Sequence, residues 1–179
     1  MSVAQLFQTP ELAGIGPDVR LGRDSITTLQ TRMAAAFSKR KLSGPAQDLI
    51  RSAALLWHDH IDESHTVSQD IESIDGSFLH GIMHRREPDY SNAKYWFRLV
   101  GEHPSHPEIA RRVSALLAEA NAATLKDRLL PAGLWDSFAM VDAVDQSVHE
   151  GKSSNKLHLL QRIQQIEFEV LTDRFCAMD

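Results

Sequence analysis

The chain has 179 residues, 42% apolar and 24% charged, with a formal net charge of −5 and a single cysteine, Cys176. A chain of this kind suits one domain that buries its own core. It excludes a disulfide framework, and it disfavours nucleic acid as the main partner.

The opening residues MSVAQLFQTPELAG carry no basic n-region and no long apolar run, so no signal peptide is expected. No window approaches the ~20 apolar residues of a membrane span. With one cysteine, a reducing cytoplasm is the expected location. Residues 1–26, with GIGPDVRLG, read as partly irregular. Thr9-Pro10 and Ser43-Gly44-Pro45 have the form of an N-cap followed by a first-turn proline. Apolar residues then recur at three and four, and helices are predicted near 27–39, 46–72, 76–86, 91–100, 106–121, 134–149 and 155–175. Asp75 is the expected cap of the third. Pro88 stops that helix, and Asp89 or Ser91 caps the next. Ser105 and Glu108 form a capping-box pattern, and Ser153, Ser154 or Asn155 caps the last helix. No run alternates as a strand does. The expected fold is therefore all-α: one domain over residues 1–179, a helical bundle of about six to seven helices.

Five of the nine histidines (His58, His60, His65, His80 and His84) fall within 27 residues. In the helix predicted over 46–72, Ile50, Ala54, Trp57, Ile61 and Ser68 form the core stripe. His58, Asp62 and His65 lie along one shoulder of it. In the next helix, His80 and His84 stand four apart, opposite Phe78, Leu79 and Ile82. That spacing is sterically able to hold a metal. In 134–149, Asp142 and Asp145 interrupt the face of Trp135, Phe138 and Val141, and His149 lies on it. Glu167 sits near the centre of the stripe Leu157, Leu160, Ile163, Leu171 and Phe175. A buried carboxylate costs several kcal/mol unless a histidine, an arginine or an ion partners it. Arg85, Arg86, Lys94 and Arg98 could make an anion site. Tyr95, Trp96 and Phe97 read as core.

Each feature also has a bland reading. The histidines could be a hydrogen-bonded shoulder, Glu167 could pair with an arginine of HRRE, and Arg85 and Arg86 could be neutralised by Glu87 and Asp89. No phosphate-binding glycine loop, HExxH, CxxC or GxSxG occurs. WHDHIDESH shares a His-Asp pair with metal-dependent phosphohydrolases, but too loosely to carry an assignment.

LLWHDHIDESH and FLHGIMHRREPDYSNAKYWFRLVGEHP together resemble a family of uncharacterised bacterial and fungal proteins, over roughly residues 55–104. The resemblance implies no activity and no residue roles. It implies only that these residues form one family feature.

The function expected from the residues is an enzyme or small-molecule-binding domain with an interior His/carboxylate pocket, acting on a small anionic ligand. His58, His65, Asp142 and Glu167 would be its bases and carboxylates. His80 and His84 would hold a divalent transition metal, and Arg85, Arg86, Lys94 and Arg98 the ligand. Zinc, iron, manganese or nickel would suit such a set better than calcium. The alternative is a non-catalytic interaction protein whose His, Arg and Asp residues form a buried hydrogen-bond network. A homodimer that buries one aromatic face is left open, and neither nucleic acid nor membrane is expected as a partner.

Overall fold

The computed structural model describes residues 1–150 and 155–178, and for His149 and Glu150 the backbone alone. All regular structure among the described residues is helical. A 3₁₀ turn over Val3–Phe7 leads into α1 (Ile26–Arg40), α2 (Gly44–Trp57), α3 (Ile61–Ser68), α4 (Ile74–Arg86) and α5 (Tyr90–Val100). Then follow α6 (His106–Glu119), α7 (Ala123–Leu129), a 3₁₀ turn over Pro131–Gly133, α8 (Ser137–Glu150) and α9 (Asn155–Cys176). Among the described residues nine α-helices therefore stand where six to seven were expected. The long helix over 46–72 is broken in two, and the short α7 has no periodic stripe strong enough to announce it. No described helix is long and apolar enough to cross a membrane.

The break falls at His58-Asp59-His60. Asp59 adopts a left-handed φ of 62°, a conformation that aspartate tolerates better than most residues. It is fixed there by cations. Arg20 Nε lies 2.8 Å from one carboxylate oxygen, and Arg86 Nη2 lies 2.7 Å from the other. Arg86 also donates to the carbonyl oxygens of Leu56 and Gly16. Burial alone would raise the Asp59 pKa, but the Arg20 hydrogen bond and the Arg86 charge outweigh it and hold the carboxylate ionised. Beyond the corner α3 folds back on α2. Small residues let the two approach closely: Ser64 Oγ donates to the Ser52 carbonyl at 2.9 Å.

Helix α4 is the central element. The sequence sets His80 and His84 opposite the apolar face of Phe78, Leu79 and Ile82, yet His80, His84, Arg85 and Arg86 are buried along with Phe78 and Ile82. Such a helix is tolerable because each of these four side chains finds a polar partner. Helix α5 returns along it after the turn at Pro88, capped by Asp89, whose Oδ1 accepts from Asn92 N. The approach is tight at Gly81, where a Cβ would stand 2.9 Å from Phe97 Cζ. Ala93, Phe97 and Val100 form the inner face of α5. Thus only Phe97 of the aromatic triplet is core; Tyr95 is half exposed and Trp96 lies at the edge.

Other caps differ from expectation. Ser73, not Asp75, caps α4 by accepting from Gly76 N. Asp75 is buried and bound by Arg174 Nε at 2.7 Å and His103 Nε2 at 3.1 Å. Ser105 precedes α6 with helical rather than extended backbone, so its hydroxyl makes no cap bond. Glu108 pairs with Arg111 instead. Thr9-Pro10 starts no helix; Thr9 Oγ1 accepts from Trp57 Nε1. Ser153 and Ser154 lie outside the described residues, as does the His149 side chain, and Asn155 is the first helical residue of α9.

Candidate metal centre

His65 comes from α3, and His80 and His84 come from adjacent turns of α4. One nitrogen from each imidazole lies within 4.8 Å of the others. The rings meet edge to face, with centroids 4.8 Å apart for His65–His80 and 5.3 Å for His65–His84. Zinc–nitrogen bonds of about 2.1 Å put two ligands of a tetrahedral site roughly 3.4 Å apart. The cluster's nitrogens would have to draw together by up to about 1.4 Å to reach that spacing.

The surroundings select which nitrogens face inward. Ser68 Oγ contacts His80 Nδ1 at 3.1 Å and donates to the His65 carbonyl oxygen at 3.3 Å. With the hydroxyl proton spent on that carbonyl, Nδ1 of His80 carries the hydrogen and Nε2 keeps its lone pair. Glu87 Oε2 lies 3.1 Å from Nδ1 of His84 and fixes the same tautomer there. The Asn92 side-chain amide donates to Nε2 of His84 at 3.0 Å. Trp96 stacks on His80, with centroids 3.9 Å apart and planes 28° from parallel.

Burial pushes the His80 pKa down to about 4, helped by the neighbouring His84 and His65. Burial likewise lowers His84, against the opposing pull of Glu87. Metal ligation requires neutral imidazole, so these two ligands need lose no proton at neutral pH. His65 is half-buried, which leaves the cluster an edge toward solvent.

No family model, curated protein or solved structure matches the chain. Its chemistry must be argued from its own residues.

The other expected site residues are placed elsewhere. His58 is the C-cap of α2, fully buried, with both nitrogens used: Asp24 N donates to Nδ1 at 3.0 Å, and Nε2 contacts the Leu6 carbonyl oxygen at 2.7 Å. Its shoulder with Asp62 and His65 does not form, because the helix ends between them. Glu167 is fully buried in α9 and takes a two-pronged bond from Arg85, at 3.1 and 2.5 Å. Asp142 lies at the edge of α8, where Met140, Val141 and Val144 hold the core; it pairs with Lys94 at 2.6 Å. Thus the carboxylates expected among the histidines are held by cations. The four cations expected to converge on an anion do not. Arg85 faces Glu167, Arg86 faces Asp59, Lys94 faces Asp142, and Arg98 lies over the Phe138 ring. Glu87, Asn92, Ser68 and Trp96 complete the centre without having been singled out for it. For Glu87 a signal existed: it stands three residues after His84 on the same helix, within side-chain reach.

Proposed function

We propose that the chain is a metal-dependent enzyme or binding domain whose centre is His65, His80 and His84. The convergence of three imidazole nitrogens within 4.8 Å on two packed helices is the observation that carries this reading. A three-histidine set suits zinc, copper, iron or nickel. When bound, such an ion supplies a Lewis acid and an acidified water. The chain's own residues have the remaining roles. Glu87 and Ser68 orient the two α4 imidazoles through their outer nitrogens, as second partners of metal ligands commonly do. Trp96 covers one face of the centre, and the edge at His65 admits a small ligand.

The test is metal content and uptake by the full chain, purified without a polyhistidine tag. The reading expects one equivalent of a transition metal, lost in His65→Ala and His80→Ala and kept in His58→Gln. Substoichiometric metal with no uptake on reconstitution would end it.

A second reading is favoured by the arginines. Arg20, Asp59 and Arg86, together with Arg85, Glu167 and Gln164, form buried ion-paired sets of the kind a structural network uses. On that reading the histidines too are structural, and His65→Ala would change stability without changing metal content.

A further inference from the structure

A second site is visible on the other side of Phe97. An open cleft of about 1060 Å³ runs between the C-terminal end of α5, the start of α6, α7 and the loop before α8, and includes none of the three clustered histidines. Phe97, Leu130 and Phe138 give it an apolar lining. Three polar side chains on its wall each hold a buried atom with no protein partner: His106 Nε2, Trp135 Nε1 and Ser137 Oγ. Trp135 and Ser137 are only 6% and 7% exposed. An unsatisfied buried polar group costs about 1–3 kcal/mol, and several lining one cleft point to a ligand that supplies their partners.

The three atoms have one sign. The indole nitrogen can only donate, and the serine hydroxyl carries a proton to give. For His106 the tautomer follows from its other nitrogen: His103 N donates to Nδ1, so the ring hydrogen is on Nε2. Burial, with His103 beside it, lowers the His106 pKa to about 4 and keeps the ring neutral, so this tautomer holds at neutral pH. His106 is also the first residue of α6, so one helix N-terminus borders the cleft and adds positive partial charge, while that of α8 is capped by Asp136. Asp136 also lines the cleft, but its Oδ1 is turned to the α8 backbone, where it accepts from Phe138 N and Ala139 N. On the rim Lys126 stands with Glu102 and Asp127, and Arg111 is paired with Glu108, so rim charge gives an anion no net attraction. Selectivity therefore rests on the donors.

We propose that this cleft binds a small apolar carboxylic acid, with its carboxylate taken by the donors of His106, Trp135 and Ser137 and its body packed on Phe97, Leu130 and Phe138. The site does not depend on a metal at the histidine cluster.

Naphthoate is the probe, with naphthylmethylammonium as its cationic counterpart, titrated into the full chain and followed by heteronuclear NMR. The Trp135 indole N–H resonance, identified by its loss in Trp135→Phe, should shift saturably with naphthoate and stay fixed with the ammonium. Ser137→Ala and Trp135→Phe should each weaken naphthoate binding by about tenfold or more, the usual effect of losing a donor to a charged acceptor. Three results overturn the proposal: an unmoved Trp135 resonance at millimolar naphthoate, equal binding of the cation, or unchanged naphthoate affinity in both variants when each melts as the parent does.

Discussion

Glu87 Oε2 stands 3.1 Å from Nδ1 of His84, at the C-terminal end of the same helix. That contact sets the His84 tautomer, and an ion at Nε2 would take the place of the Asn92 amide that donates there. Replacing Glu87 by glutamine removes the charge and the fixed tautomer while keeping the size. We expect metal affinity to fall about 10–100-fold, as for other partners of ligating histidines. Competition against a chromophoric chelator measures it; an unaltered affinity would show that Glu87 does not orient the centre.

The buried Arg85–Glu167 pair should behave asymmetrically. Glu167→Gln leaves a guanidinium in the core without its counter-charge, and Arg85→Met strands the carboxylate. Each should cost about 3–5 kcal/mol. Arg85→Met with Glu167→Leu removes both charges and should recover most of that loss. Urea unfolding of the three variants tests this, and strictly additive losses would contradict it.

Gly81→Ala should destabilise by about 1–3 kcal/mol, because its Cβ would press on the Phe97 ring. Phe97→Leu in the same chain should relieve part of the strain. If the alanine variant melts with the parent, α4 and α5 are not as closely packed as described.

Acid should weaken the metal-free protein before its carboxylates titrate. His106 and His58 both have folded pKa values below the ordinary 6.5, about 4 for His106, chiefly through burial. Between about pH 6.5 and 4 the unfolded chain therefore binds more protons than the folded one, and stability falls as pH falls. The slope approaches about 1.4 kcal/mol per pH unit for each such proton. Urea midpoints across that window measure it. His106→Gln should flatten the slope by about one proton, and a slope unchanged by the substitution would refute the assignment.

Helical class and most element positions were legible because they follow from short-range pattern: period, caps and prolines. Asp89 at the start of α5 is such a case. The His80–His84 pair was legible for the same reason, since spacing on one helix fixes adjacency. His65 could be named, but not its meeting with them, because that depends on the corner at residues 58–60. The left-handed Asp59 that makes the corner is held by Arg20 and Arg86, 39 and 27 residues away. Long-range pairing also decided the carboxylates. Glu167 was rightly seen as buried and in need of a partner, but among arginines, histidines and an ion only the packing of α4 on α9 selects Arg85. Asp142 was misplaced because α8 begins at Ser137 and its core face is centred on Met140, Val141 and Val144 rather than on Phe138.

The corner at Asp59 has a further consequence for how this chain tolerates length changes. It resets the rotational phase of α3 against α2, and His65 takes its direction from that reset. One residue inserted or deleted within the first turn of α3, between Ile61 and His65, would turn His65 by about 100° relative to the corner. His65 would swing away from α4 while His80 and His84 stayed put. The run from Asp59 to His65 is therefore set as tightly as the four-residue step from His80 to His84.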